Sequence, residues 1–164
     1  MISETSNRIV RVEIDSPGVV RYHPNVEREI QVAIYDLIDE NNFIPDVAHF
    51  ESAVAGPYTL VLRVQGRQLI FDISTENGQE VGTLPLPLTP FRKTIKDYFM
   101  ICESYYEAIR SASPAQIEAI DMGRRGLHNE GSEKLRDLLS DRIQIDHVTS
   151  RRLFTLICAL HTRA

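Results

Sequence analysis

The sequence predicts an α+β fold in which an N-terminal strand and helix precede a three-stranded antiparallel meander and a four-helix C-terminal half packed on the sheet. In residues 8–15 and in the segment 58–84, apolar residues alternate with polar ones, as they do in half-buried strands. After residue 89 they recur at helical spacing. The change falls at Thr89-Pro90, a cap followed by a proline at the first helical position. We therefore expect a single domain, 1–164, with a sheet-rich half, 1–88, and a helical half, 89–164.

The N-terminal quarter of the chain is predicted to hold one strand and one helix. Residues 8–15 alternate and are rich in β-branched side chains, which is typical of a strand. The helix that follows ends near Asn41, and its apolar stripe includes Ile30, Ala33, Ile34, Leu37 and Ile38. Residues 42–57 show no sustained period and contain prolines and a glycine, so they are predicted as a long connection.

The next segment is predicted to form a hairpin around Gln65-Gly66. A two-residue turn is expected there, because glycine accepts the backbone angles that such turns need. The turn fixes a register in which apolar pairs share one face of the sheet: Leu62 with Leu69, Leu60 with Phe71 and Tyr58 with Ile73.

A second hairpin is predicted around Asn77-Gly78. It produces pairs on the same face as the first, Phe71 with Leu84 and Leu69 with Leu86. In this register the missing N–H of Pro85 is expected to point at the neighbouring strand. Pairing should therefore stop near Leu84 and leave a short edge strand.

Four helices are predicted after residue 89. The first carries a broad apolar stripe that is listed here in chain order: Phe91, Ile95, Tyr98, Phe99, Cys102, Tyr106 and Ile109. The second begins at Ser113-Pro114, where Gln116 completes a capping box. Ser132 and Asp146 are predicted to cap the third and the fourth. Arg151-Arg152 then lies in the first turn of the fourth helix, where cations oppose the helix dipole, and this placement is a sign of a contact.

Composition restricts the possible classes of protein. With 43% apolar and 25% charged residues the chain is typical of a folded domain rather than a disordered one. The net charge of −5 is uneven: 6 basic and 13 acidic side chains precede residue 89, and 12 basic and 10 acidic ones follow. An excess of two cations is too small for the dense positive field that non-specific nucleic-acid binding uses, so nucleic acid is not expected as a partner.

Cysteine usage and hydropathy give further expectations. Cys102 and Cys158 each lie in a helical pattern without a second cysteine or histidine at ligand spacing, so buried reduced thiols, no metal site and no cofactor are expected. Residues 1–14 lack the apolar stretch of a secretion signal. The apolar run Leu153–Leu160 is shorter than the about 20 residues that cross a membrane. We expect a cytoplasmic protein without a membrane partner, and the sequence does not fix its oligomeric state.

Function is predicted to reside in the segment Asp121–Gly131. It gathers three glycines, two arginines, a histidine, an amide and two carboxylates. If a helix runs through it, Asp121, Arg124, Arg125 and His128 share one side, and the carboxylate orients the cations. If the glycines break the helix, the segment is a loop whose backbone N–H groups and arginines face an anion. The sequence leaves both alternatives open.

The favoured hypothesis is a non-catalytic interaction or regulatory protein. Arg124 and Arg125 would bind an acidic protein or a phosphate-bearing ligand, because guanidinium groups suit phosphate oxygens. His128 and Asn129 would add hydrogen bonds, and Asp121 and Glu130 complete the candidate ligand-binding set. The alternative is that the segment 121–131 has no ligand and is an ordinary cluster of solvated charged side chains.

Two further hypotheses belong to other classes. In the first, His128 is the general acid or base of a small enzyme and is tuned by Asp121 or Glu130, although no motif for a nucleophile accompanies it. In the second, Gly123-Arg-Arg-Gly126 is similar to the Gly-x-x-Gly clamp of the RNA-binding KH domains. The polar residues after Gly126 depart from the KH pattern, which leaves RNA binding as the weakest of the three.

Three runs of the helical half carry a resemblance to a known family: TPFRKTIKDYFMICESYYEAI at 89–109, QIEAIDMGRRGLHNEG at 116–131 and RRLFTLIC at 151–158. The chain resembles an uncharacterised family of small bacterial proteins, and the match spans most of its length. The resemblance implies a cytoplasmic bacterial protein. It brings no substrate, cofactor or catalytic residue that can be transferred to this chain.

Overall fold

The computed structural model describes residues 6–15, 24–50 and 54–161. In this part of the chain the elements are β1 (Ile9–Asp15), α1 (Pro24–Asp39), β2 (Phe43–Pro45), α2 (Val47–Phe50), β3 (Tyr58–Gln65), β4 (Gln68–Thr75), β5 (Glu80–Pro87), α3 (Arg92–Ser111), α4 (Pro114–Leu139), β6 (Ile143–Ile145) and α5 (His147–His161). The predicted α+β class is confirmed.

The main sheet has four strands in the order β1-β3-β4-β5. Strands β3, β4 and β5 form the predicted antiparallel meander. Strand β1 extends it on one side and runs parallel to β3, so the sheet is mixed. Parallel neighbours need a crossover, and here the chain between β1 and β3 contains α1.

The register predicted for the first hairpin is wrong by two residues. Leu62 pairs with Phe71 and Leu60 with Ile73, because the turn is Gly66-Arg67 rather than Gln65-Gly66. Gly66 has φ of 61°, so the turn places glycine at its first central position. A shift of two keeps every side chain on its predicted face, since side chains alternate with a period of two.

The second hairpin has the predicted pairs, Phe71 with Leu84 and Leu69 with Leu86. The register shifts between Ile73 and Ser74, so the loop around Gly78 is less regular than a two-residue turn.

The prediction that Pro85 ends the pairing is wrong, because β5 continues to Pro87. The N–H of Leu88 donates to the carbonyl of Arg67 at 3.0 Å. Because N–H directions alternate along a strand, the nitrogens of Pro85 and Pro87 point away from β4. Both prolines therefore lie on the outer side of an edge strand, where no donor is lost.

The predicted long connection, residues 42–57, contains two short elements, β2 and α2. Strand β2 pairs antiparallel with β6, which follows α4, so Phe43 lies opposite Ile145 and Pro45 opposite Ile143. Pairing with a strand a hundred residues away has no signal in the local sequence.

The helical half contains three long helices where four are predicted. A short 3-10 turn over Thr89–Phe91 precedes α3, and Thr89 makes no side-chain cap. Ser113 and Gln116 form the predicted capping box of α4. Ser132 is no cap: it lies inside the continuous helix α4, fully buried, and donates to the carbonyl of His128 at 2.8 Å. Asp146 caps α5 by accepting from the N–H of Thr149 at 2.8 Å.

Helix α5 is the central element of the core. Its buried residues Leu153, Phe154, Leu156 and Ile157 are all fully inaccessible. Helices α1 and α4 pack along α5, and α3 packs along α4. Burying such side chains stabilises a fold by about 1.5–3 kcal/mol each. In the described part of the chain no helix is both long and apolar enough to span a membrane.

Candidate functional site

A cleft with a volume of about 830 Å³ opens between α1, α3, α4 and α5. Five arginines from three of these helices line it: Arg28, Arg124, Arg125, Arg151 and Arg152. Two carboxylates, Glu29 and Asp36, line it as well, so the lining has a formal charge of +3 with neutral histidines.

Asp121 orients the two arginines of α4. Its Oδ1 lies 2.7 Å from Nη2 of Arg124, and its Oδ2 lies 2.7 Å from Nη2 of Arg125. The hydrogen bond from Arg124, with the charge of both arginines, lowers the pKa of the Asp121 carboxyl, although partial burial opposes this. The segment 121–131 is part of the continuous helix α4 and forms no loop. The helix places Asp121 on the same side as the two arginines that it binds.

Arg124 is the most extensively bound cation of the cleft. Its Nη1 lies 3.1 Å from Oε1 of Glu29, and its guanidinium carbon lies 4.3 Å from the centre of the Tyr105 ring. The same carboxylate oxygen accepts from the hydroxyl of Tyr106 at 2.9 Å. Burial by itself lowers the pKa of Arg124, but Asp121, Tyr98 and Glu29 raise it overall. Glu29 thus joins α1 to α3 and α4 across the cleft.

His128 lies in the wall of the cleft with 8% of its surface exposed. Its Nε2 is 2.8 Å from the hydroxyl of Thr155, which donates to the carbonyl of Arg151 at 3.3 Å. Nε2 is therefore the donor and Nδ1 carries the lone pair, for which the described residues provide no partner. Burial, followed by the charges of Arg151 and Arg124, lowers the pKa of His128 to about 4. The imidazole is neutral at pH 7.

The other three predicted site residues lie outside the lining of the cleft. Asp121 contacts the lining through Arg124 and Arg125. Asn129 is partly buried, and its Oδ1 has no hydrogen-bond partner in the described structure. Glu130 is exposed and faces Lys134, with 3.6 Å between Oε1 and Nζ. Each residue of a helix is rotated by about 100° from the one before, so positions 129 and 130 turn away from the side that holds 121, 124 and 128.

The sequence pattern alone does not place Arg28, Arg151 and Arg152 in a site with the α4 segment. The unfavourable position of Arg151-Arg152 near the start of α5 was the available signal. Nη1 of Arg152 donates to the carbonyls of Asp36 and Glu40 at 3.0 and 2.9 Å, so it caps the end of α1. These two hydrogen bonds explain why an arginine is placed at position 152, in the first turns of α5.

Arg151, unlike Arg152, has no hydrogen bond to a described carbonyl that explains its position in the cleft. Its side chain is partly buried, and it forms no ion pair with any residue whose side chain the structure describes. A partly buried cation that lacks a counter-charge is unfavourable, because its hydration is reduced without compensation.

Neither cysteine is suited to act as a nucleophile. Burial raises the pKa of Cys102 to about 11 and raises the pKa of Cys158 well above its usual range. Thiols in such surroundings stay protonated and unreactive.

The similarity of Gly123-Arg-Arg-Gly126 to the KH clamp is not reflected in the structure. Both glycines lie in the interior of α4, whereas the KH clamp is a loop between two helices. Gly123 faces the side chain of Ile101 on α3, and a Cβ at position 126 would meet no atom within 4 Å. The RNA-binding hypothesis loses the feature on which it was based.

The fold and the cleft define a class of α+β protein in which five arginines line a cavity between helices. The chain belongs to the Uncharacterised protein family (UPF0262), whose profile matches residues 6–163. A UPF0262 protein of Rhizobium etli (strain CIAT 652) is 55% identical over 156 residues, which is 95% of this chain and 96% of that protein. Another, of Rhodopseudomonas palustris (strain TIE-1), is 52% identical over 158 residues, which is 96% of this chain and 94% of that protein. No solved structure matches the chain.

Proposed function

We propose that this protein is a non-catalytic binding or regulatory protein that holds a phosphate-bearing or otherwise acidic partner in the arginine-lined cleft. The observation that carries the proposal is Arg151, a partly buried cation of the cleft that forms no ion pair with another described residue. An anion beside Arg151 would supply the missing counter-charge. Guanidinium groups bind phosphate oxygens through two parallel N–H donors, which favours this class of anion.

Shape and charge support a small ligand over a flat protein partner. The volume of about 830 Å³ falls in the range of about 300–1,000 Å³ that is usual for ligand sites. The formal charge of +3 on the lining attracts anions although the whole chain has a net charge of −5. Arg124 and Arg125 already have carboxylate partners, so they supply charge and one wall, while Arg151 and Arg28 make the direct contacts.

The test is an NMR titration of the amide signals with inorganic phosphate at low ionic strength. We expect saturable shifts for residues around the cleft. The double variant Arg28→Gln, Arg151→Gln should bind phosphate at least about tenfold more weakly, since each charge-assisted hydrogen bond contributes about 1.5–3 kcal/mol. Arg67→Gln is the matched control, because Arg67 is exposed in the turn between β3 and β4, away from the cleft. Unchanged binding by the double variant would remove the proposal.

Arg124→Ala with Arg125→Ala tests the contribution of α4. We expect weaker phosphate binding here too, because two of the five positive charges are lost. Circular dichroism of this variant checks that the helices persist, since Arg124 also holds Glu29. Full affinity in a folded double variant would exclude the Asp121–Gly131 segment from the site.

A small enzyme that uses His128 is the second candidate. The observation in its favour is that His128 lies in the same concave site as Arg124 and Tyr98 and is neutral at pH 7. A pKa of about 4 makes it a weak proton acceptor, which favours binding over catalysis. Hydrolysis of p-nitrophenyl phosphate that His128→Gln abolishes would support the enzyme. Saturable binding without turnover supports the binding protein.

A further inference from the structure

The mouth of the cleft contains an unusual share of the exposed apolar surface. Six large apolar side chains of the described residues are exposed, and three of them line the cleft: Val32 at 52%, Ile109 at 50% and Val148 at 43%. They come from α1, α3 and α5, so three separate helices each direct one to the same cavity. Single exposed apolar residues are common, whereas a converging set marks a binding surface.

Apolar and cationic groups alternate along the walls. On α1, Arg28 precedes Val32 by four residues, and on α5, Arg151 follows Val148 by three. Residues at these spacings are neighbours on one helix face, with about 5–6 Å between their Cβ atoms. On α3, the ring of Tyr105 lies four residues before Ile109 and is stacked on the guanidinium of Arg124. The walls formed by α1 and α5 thus each offer a cation beside an apolar side chain, and α3 offers Ile109 near the guanidinium of Arg124.

From this arrangement we propose that the occupant of the cleft is an amphipathic small anion, in which a phosphate or carboxylate is joined directly to an aromatic ring or a short hydrocarbon group. The anionic group lies at Arg151 and Arg28, and the apolar group lies against Val148, Val32 and Ile109. The inference rests on the proposed function and specifies its ligand class. A bare inorganic anion is a weaker occupant than this class, because it would leave the apolar mouth uncovered. A neutral apolar molecule is excluded, because it would leave Arg151 without a counter-charge.

Calorimetric or NMR titrations with phenyl phosphate and inorganic phosphate test this class. Phenyl phosphate should bind about tenfold tighter or more, a gain that about 60 Å² of buried apolar surface supplies. Ile109→Ser with Val148→Ser should remove most of that gain and leave the affinity for inorganic phosphate unchanged. Both side chains are half exposed, so the variant is expected to fold. Met122→Ser is the matched control, because Met122 is 66% exposed and lies outside the cleft.

The outcomes separate this inference from the proposed function. Equal affinities for the two probes would overturn the amphipathic ligand and leave anion binding in place. Binding of neither probe would overturn both. Analytical ultracentrifugation covers the remaining occupant: a dimer of this chain that the Ile109→Ser, Val148→Ser variant dissociates would show that a second copy covers the apolar surface, and would overturn the small ligand.

Discussion

Gly131 of α4 lies directly against the ring of Phe154 on α5. A Cβ at position 131 would come within 2.0 Å of Cζ of this ring, and both residues are buried. Glycine is needed here because two helices approach closely, and not because the chain turns. The glycine that suggested a break in the helix therefore marks a point where α4 and α5 approach each other closely.

Replacing this glycine should destabilise the protein. We expect Gly131→Ala to lower the free energy of unfolding by about 1–3 kcal/mol, because the ring of Phe154 is enclosed in the core and cannot easily move. Urea unfolding followed by circular dichroism measures the change. Gly126→Ala, in the same helix with no atom within 4 Å of the added Cβ, should instead stabilise by up to about 1 kcal/mol. A stable Gly131→Ala would mean that the helices are farther apart than described.

The sheet illustrates what local patterns predict and what they miss. Alternation fixed which side chains face the core, so the face of Leu62 and Phe71 is right although the register of the first hairpin is shifted by two. The prediction for Pro85 failed although its pairing register was right, because the direction of a single N–H changes with every residue and depends on the loop and on the register shift between Ile73 and Ser74. The parallel position of β1 and the pairing of β2 with β6 depend on contacts between distant segments, which no window of the sequence displays.

The candidate site was predictable only along one helix. Helical spacing correctly places Asp121 beside Arg124 and Arg125, because these residues lie within one turn. The partners from other helices, Glu29 and Arg151, are distant in the sequence, and tertiary packing alone brings them to the cleft. The dipole argument near the start of α5 gave the single local sign of a further contact.

Removing the charge of Asp121 should have opposite effects on stability and on anion affinity. Asp121→Asn loses ion pairs with Arg124 and Arg125, and we expect unfolding to become easier by about 1–2 kcal/mol. The same change makes the cleft more positive, so inorganic phosphate should bind two- to tenfold tighter at low salt, as roughly expected for one added charge. Chemical unfolding and a phosphate titration measure the two effects. Glu130→Gln, exposed and paired loosely with Lys134, is the control that should alter neither.

His128 should make the protein sensitive to mild acid. Its pKa is lowered to about 4 in the folded state, while an unfolded chain takes up this proton near the ordinary value of about 6.5. Between these two pH values the unfolded state binds more protons, so stability is full above about 6.5 and is lost as the pH falls toward 4. The free energy of unfolding that is lost over this pH range is about 3 kcal/mol.

Urea unfolding at several pH values between 4 and 7 tests this dependence. His128→Gln should be less stable at pH 7, where a buried bond to Thr155 is changed, but should lose much less stability on acidification. His147→Gln is the control, because the side chain of His147 is 47% exposed and bonds Glu133 outside the core. Equal acid sensitivity in wild type and His128→Gln would refute a depressed histidine pKa.

Substitutions of the two adjacent arginines of α5 should have different effects, one on the free energy of unfolding and the other on phosphate binding. Arg152 donates to the carbonyls of Asp36 and Glu40 at the end of α1, so Arg152→Gln should lower the free energy of unfolding by about 1–2 kcal/mol. Arg151 makes no such bond within the described residues, and loss of its partly buried charge should leave stability unchanged or slightly higher. Arg151→Gln should weaken phosphate binding most strongly, because it removes the cation nearest the expected anion. If both variants lost stability equally, Arg151 would have a structural role, and the reason for placing an anion beside it would disappear.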